Sequence, residues 1–493
     1  MSIEVYANNV RTTLSAPMLS GDDHAHVAAA APAALQGRSY RVLCEAEIML
    51  VTSGASTTTW TVTRGIEGTS AVAHATGAPV IHVLTAAGIL GTSGDLDVRQ
   101  FGAKGDDSTD DTTALQAAFA ALGPVENGMS GLYFPPGVYR ISDTLDIPLV
   151  QYRRIYGATW GATIIKMTAN NKPIIRATYE NTHSITIEHL TLAFSSNQSS
   201  SNTSAYGIQF AVTGGTGQGF YRWTLRCLAI EGAAVGFGIA GTGSVPVWGS
   251  TLDSILFSAI SIHAIDWSSP TTIGMPSVEM RGIQIFNYGT PMGSADAVVL
   301  DGVEAAIDGL GIEDWSARAL YVVSGSSVFI RNLHVERHTF TTGNNTLVYI
   351  ANGPVVCDGV TIAGSTSGNG ITSGFQVASS GSLDIRATNA DWTLNGGVLE
   401  WLGGDPTTSY IWSKGCTWKA SGSATNEYLA SGYGTGLYVR VTSNDLPPTV
   451  DTLPTGAAVY RGRRFRVLGG AGVADVVSEC SKNAADAYVW VTK

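Results

Sequence analysis

The sequence predicts a right-handed parallel β-helix, an all-β solenoid, and three observations carry that reading. The first is a repeat of an apolar residue, two spacers, an apolar residue, one spacer and an apolar residue. It runs Ile187, Leu190, Leu192; Leu225, Leu228, Ile230; Leu252, Ile255, Phe257; and Met280, Ile283, Ile285. It continues as Ile307, Leu310, Ile312; Ile330, Leu333, Val335; and Cys357, Val360, Ile362, and fades at Ile385. First members lie 38, 27, 28, 27, 23, 27 and 28 residues apart, and a fixed period in this range marks a solenoid. The second observation is corner chemistry. Alternate residues of a strand face inward, so the motif reads as two short strands joined by a two-residue corner. Its second corner residue is Gly282, Gly309, Asn332 and Gly359 in four copies, types that tolerate a left-handed backbone. The third is a further alternating segment upstream of each motif, as in Gly207–Phe210, Gly236–Ile239, Ala264–Trp267, Ala297–Leu300, Ala319–Val322, Val348–Ile350 and Gly374–Val377.

Each coil therefore holds three strands, and stacked coils sit about 4.8 Å apart. A residue lies above its equivalent roughly 27 positions away, more where a loop is longer. That rule turns sequence spacing into a surface map.

Length and composition bound the rest. The 493 residues allow two to four domains. With 58 glycines and only 14% charged residues, the chain suits tight corners and not disorder. A net charge of −11 argues against nucleic acid or an anionic membrane as partner. Five scattered cysteines lack metal-ligand spacing, and Cys357, at an inward repeat position, reads as a buried structural thiol. Residues Met1 to Leu14 have no apolar core behind a basic start, so no signal peptide is expected. No run of 18 apolar residues occurs, so no membrane insertion is expected either.

Residues 1–94 differ from the solenoid. Tyr40–Val42, Glu47–Val51, Trp60–Arg64 and Pro79–Leu84 read as short strands, with turns such as Gly65–Gly68 between them. Glu47-Ile48-Met49, the run from Val62 to Thr69 and His74 resemble the N-terminal modules of phage tail proteins that plug into the virion. A linker near Gly91–Gly94 leads to Asp97–Thr112, with its cluster Asp106, Asp107, Asp110 and Asp111. An amphipathic helix follows, with Leu115, Ala118, Phe119 and Leu122 on one face. Then comes Leu132-Tyr133-Phe134-Pro135-Pro136-Gly137-Val138-Tyr139, a strand, a turn and a strand. This string resembles the opening of the pectate lyase superfamily, above all of phage tailspikes and capsule depolymerases. The resemblance implies that the helix caps the open end of the β-helix, where an uncapped coil would expose core and strand edges. The acidic cluster is expected to serve the turn and the helix N-cap, not a metal. The solenoid is expected to span 95–440. Residues 441–493 form a small β module of three strands behind Arg461, Arg463, Arg464 and Arg466, a trimerisation or glycan-binding domain by the same resemblance.

Candidate chemistry follows from the stacking rule. Asp266 is outward, because Ile265 and Trp267 take the inward places. One coil later Val299 is its equivalent, and Asp301 is the next outward site. One coil plus two residues separates their Cα atoms by about 8 Å, an offset that suits an inverting pair of carboxyls. Glu304 follows at the corner, and Tyr321 and Tyr349 occupy the equivalent outward position on the next two coils as sugar platforms. One acid on one coil and two acids three apart on the next also resembles the arrangement in phage tailspike endoglycosidases. Outward Asp residues near turns also solvate a surface, so both readings stand. A rival set is Glu313 and Glu336, stacked on adjacent coils and surrounded by Asp314, Trp315, His334, Arg337 and His338; stacked carboxylates push one proton affinity up. A salt-neutralised surface ladder or a subunit contact accounts for it equally. Trp315 and His334 are the associated substrate-binding candidates, while Trp267 and Phe237 are expected in the core. No lysine occurs between Lys172 and Lys414, which favours hydrolysis of a neutral or weakly charged glycan over elimination on a polyanion. No cofactor or metal is expected.

The resemblance thus implies a homotrimeric tailspike in the virion. Residues 1–94 would attach it to the phage tail or baseplate, and it would bind and hydrolyse a bacterial surface polysaccharide, capsule or O-antigen. A non-catalytic receptor-binding adhesin, a polysaccharide lyase and a cellular pectin-degrading enzyme are the alternatives, because fold alone does not establish activity.

Overall fold

The computed structural model describes residues 7, 10–85, 95–123, 131–212, 219–241, 246–268, 275–287, 295–323, 326–336, 346–363 and 373–386, and beyond these mainly the backbone of further strands up to residue 492. The expected linker at Gly91–Gly94, the solenoid end at Leu446-Pro447-Pro448, and Arg337, His338, Arg461 and Arg463 lie outside them.

The N-terminal region is an antiparallel sheet of six strands in the order Arg11–Thr13, Pro79–His82, Tyr40–Cys44, Glu47–Ser53, Thr59–Thr63 and His24–His26. The expected strands at 40, 47, 60 and 79 are all present. Their inward residues, among them Leu35, Tyr40, Val42, Met49, Val51 and Trp60, close a core that shares no residue with the one that follows. The residues that carried the resemblance here serve a buried ion network. Glu47 is fully buried and accepts two bonds from Arg64, at 2.7 and 2.8 Å, besides the amides of Gly65 and Val72. His74 joins Glu47 at 2.8 Å and Glu45 at 2.7 Å. Arg64 also donates to the carbonyls of Leu19 and Asp22, in one turn, and of Val72 in another loop, so its fixed fork ties two loops to one strand.

From Asp95 to Val441 the strands form one continuous ladder of parallel pairings, coil on coil. This is a parallel β-helix. The repeat residues are its interior: Leu225, Leu252, Met280, Ile307, Ile330, Cys357 and Ile385 stand in register and are at most 1% exposed. Burial pushes the Cys357 thiol up to about 12, so it is inert, as its position implied. Phe210, Phe237 and Trp267 stack within the same core, with ring centroids 5.4 and 4.9 Å apart. Gly282, Gly309, Asn332 and Gly359 have φ of 57, 78, 57 and 75°, the left-handed turn their types suggested. The same conformation at His189, Cys227 and Ser254 costs about 1–2 kcal/mol each and is held by the strands on either side.

The helix Thr112–Ala121 closes the first coil. Leu115, Ala118, Phe119 and Leu122 are buried against it, with the Phe119 and Phe134 rings 6.4 Å apart. Asp110 accepts from the Thr112 amide at 3.0 Å and so caps the helix. Asp111 instead binds the Lys104 and Gly105 amides, and Asp106 those of Ser108 and Thr109. The C-terminal region is a four-stranded sheet of Thr449–Val450, Arg464–Val467, Val476–Lys482 and Tyr488–Thr492. Among the described residues no helix is long and apolar enough to cross a membrane.

One outward column alternates in sign on eight successive coils: Glu188, Arg226, Asp253, Arg281, Asp308, Arg331, Asp358 and Arg386 are mutual register partners. Opposite charges directly across a ladder stabilise and like charges destabilise. Slipping any coil by one residue would break this column as well as turn the core out.

Candidate active site

The first strand of each coil builds one outward face. Its central column reads Arg176, Gln209, Gly238, Asp266, Val299, Tyr321, Tyr349 and Gln376, each in register with the next. Asp266 belongs to the strand His263–Ser268 and Asp301 to Val298–Asp301. Across the ladder Ser268 faces Asp301 and Asp266 faces Val299, so the two acids share a face at the offset the spacing predicts. The Ser268 hydroxyl donates to the Asp266 carboxylate.

Beneath Asp266 the column holds only Gly238. A Cβ there would lie 2.7 Å from the Tyr206 ring, so the glycine makes room for Tyr206 at the foot of Asp266. Burial pushes the Asp266 carboxyl above the usual carboxylate range, and the Asp301 charge adds to the shift; His263 and the Ser268 hydroxyl oppose it. Burial, and then the charge of Asp266, also raise the Tyr206 phenol.

Three positions before the central column stands a second one. His263 Nδ1 donates to the Asp296 carbonyl at 2.6 Å, which leaves Nε2 for a ligand or a second proton. Arg318 makes a two-pronged contact with the Asp296 carboxylate at 2.7 and 2.8 Å. Its guanidinium lies 4.0 Å from the Tyr321 ring centre and 4.8 Å from that of Tyr349. The two rings sit 5.3 Å apart, partly exposed beside the acid pair. Amphipathic rings at such a position are the usual platforms for the apolar face of a sugar.

Glu304 is exposed and lies beyond the left-handed corner Gly302, on the strand Val303–Glu313, in register with Ser327. The structure therefore puts it on the neighbouring face and not beside Asp266 and Asp301. The rival set lies on the last leg of the coil. Glu313 and Glu336 are in register, and His334 Nε2 is 3.2 Å from Glu336 Oε2. Trp315 corrects the expectation for it. Its side chain is fully buried, and the indole N–H donates to the Ala295 carbonyl at 2.8 Å, so it cannot present a face to a sugar. The turn at Asp314, with φ 54°, rotates the chain and sends Trp315 inward.

Sequence reasoning missed Tyr206, His263, Ser268, Asp296 and Arg318. Applying the stacking rule three residues before each strand centre, ahead of the strands Val298–Asp301 and Leu320–Val322, would have found the last two. It also missed an aromatic stack nearer the N-terminal end: His183 and Tyr221 lie 4.4 Å apart at 17°, and Tyr221 and Trp248 4.9 Å apart at 15°.

Residues 96–214 match the family described as rhamnogalacturonase A/epimerase, pectate lyase-like. That match covers the capping helix and the first coils of the parallel β-helix. Part of it is 38% identical over 108 residues to the mannuronan C5-epimerase AlgE3 of Azotobacter vinelandii, covering 20% of this chain and 6% of that protein. It is 39% identical over 108 residues to alginate lyase 7 of the same organism, covering 20% and 12%. The chain thus spans only a small part of these curated relatives. Among solved structures, the gp42 tailspike of Acinetobacter phage vb_AbaP_AS12 superposes with a TM-score of 0.48 at 10% identity, over 84% of this chain and 83% of that one. ORF18 of Geobacillus virus E2 gives 0.47 at 15% identity, over 90% and 82%.

Proposed function

We propose that this protein is a phage tailspike whose β-helix binds a bacterial surface polysaccharide and hydrolyses it with Asp266 and Asp301. The observation that carries the reading is the environment of Asp266, a half-buried carboxyl with raised proton affinity, one coil and two residues from a second carboxylate. Asp266 is the general acid that protonates the departing glycosidic oxygen. Asp301 is the base that activates water on the opposite side of the sugar, and a separation near 8 Å leaves room for that water. Tyr321 and Tyr349 hold the glycan along the face, and Glu304, on the neighbouring face, takes no part in the acid–base pair. Residues 1–94 attach the protein to the virion, the functional unit is a homotrimer, and 441–493 trimerise or bind glycan.

Elimination is the second reading, favoured by a specific observation. The curated relatives include a mannuronan C5-epimerase and an alginate lyase by name, and His263 and Arg318 put a base and a cation on the candidate face. Incubation with capsule or O-antigen of the host and analysis of the products tests both. Hydrolysis gives saturated oligosaccharides with a new reducing end, elimination gives an unsaturated uronate, and an adhesin gives neither.

A further inference from the structure

We infer that Glu313, His334 and Glu336 form a binding site for a divalent transition metal ion, separate from the Asp266–Asp301 face. One ligand atom from each of the three side chains lies within 4.8 Å of the other two. A tetrahedral ion with bonds of about 2.0–2.2 Å sets its ligand atoms about 3.3–3.6 Å apart. His334 Nε2 and Glu336 Oε2, at 3.2 Å, already stand close to such an edge, and a small rotamer adjustment brings in Glu313.

The charge arrangement points the same way. In the alternating column every carboxylate has an arginine on the next coil. Glu313 and Glu336 break that habit: two carboxylates stack directly, with Phe286 on the coil before and Ala363 on the coil after. A dication there would be held by both stacked carboxylates at once. The position opposite His334 on the coil before is Gly311. The nearest atom to a Cβ built there is 3.9 Å away, so space remains for the ion and for a water as fourth ligand. The imidazole selects the metal class, because nitrogen donors suit zinc, nickel or copper, whereas calcium and magnesium take oxygen.

The test uses the full chain after chelator treatment, titrated with Zn²⁺ by calorimetry and with Co²⁺ by visible absorption. One equivalent of Zn²⁺ should bind, more tightly than Ca²⁺, and Co²⁺ should give the intense spectrum of a low-symmetry four- or five-coordinate site. His334→Asn and Glu336→Gln should each weaken Zn²⁺ binding at least about tenfold, while Asp308→Asn in the alternating column should leave it unchanged. The unmutated chain failing to saturate at millimolar Zn²⁺, or preferring Ca²⁺, overturns the inference. So does binding that survives both substitutions, which would place the ion at another histidine. If either variant fails to fold, Glu313→Gln takes its place.

Discussion

Asp301 stands across the ladder from Ser268, whose hydroxyl donates to Asp266 on the same strand. One hydroxyl thus sits between the two acids, and the pair is offset along the face as well as between coils. That offset distinguishes an acid–base pair working from two sides of a bond from two carboxylates sharing one proton.

Asp266 should weaken the fold at neutral pH. Its carboxyl titrates higher in the native state than in the unfolded chain, chiefly from burial. The native state therefore holds its proton to higher pH, and stability falls as pH rises from the unfolded value of about 3.9 through the folded one. Asp266→Asn removes the charge and should raise the melting temperature near pH 7. The gain should vanish near pH 3, where residue 266 is largely uncharged in both proteins. A gain independent of pH contradicts this.

In the N-terminal region the sign is opposite. Glu47 is held at about 2 by the Arg64 and His74 bonds and the Val72 and Gly65 amides, against the burial that would raise it. Its contribution is present above the unfolded value of about 4.3 and is lost as pH falls towards 2. Arg64→Leu removes the arginine partner of a buried carboxylate, leaving it His74 and two amides, and should cost about 3–5 kcal/mol. Hydrogen exchange should show the loss in 10–85 and leave the solenoid amides protected; uniform loss across the chain would show that the two cores unfold as one.

Charge reversal in the alternating column tests its role in register. Arg281→Glu sets like charges against Asp253 and Asp308 and should cost about 1 kcal/mol in dilute buffer, less in 1 M salt because exposed charges are screened. A cost unaffected by salt would assign the effect to packing.

The β-helix core and the N-terminal core have no residue in common. Removal of residues 1–94 should therefore leave a folded, glycan-competent protein that sediments as a trimer and resists SDS until heated. A monomer at micromolar concentration, or an unfolded β-helix, contradicts the proposed assembly and boundary.

The fold was legible because period-two alternation survives in almost every coil and Gly or Asn marks the corner in four of them; Gly282, Gly309 and Asn332 sit where the repeat puts them. The site was legible only where alternation along a strand marked which residues face outward. The central column from Asp266 to Tyr349 follows from the strand centres. His263, Asp296 and Arg318 step by the same 33 and 22 residues as Asp266, Val299 and Tyr321, but Asp296 and Arg318 precede the strands Val298–Asp301 and Leu320–Val322, where no alternation marks the outward side. Trp315 was misplaced for a different reason: a left-handed residue at Asp314 resets which way the chain faces, and nothing in the composition of that segment marks it. The alternating column was readable from Arg226, Asp253, Arg281 and Asp308 alone, had charges been stacked as the apolar residues were.

The most direct test is a turnover assay on the host polysaccharide with four single variants. Asp266→Asn and Asp301→Asn should each lower the rate by about 10²–10⁴-fold while glycan binding persists, because an amide keeps the shape but neither donates the proton nor activates water. The first-formed product of the unmutated protein should carry the inverted anomeric configuration, seen by proton NMR. Glu313→Gln and Glu336→Gln should cleave at the unmutated rate. If those two silence the enzyme while the Asp266 and Asp301 variants remain active, the catalytic face is the other one and the central assignment is wrong.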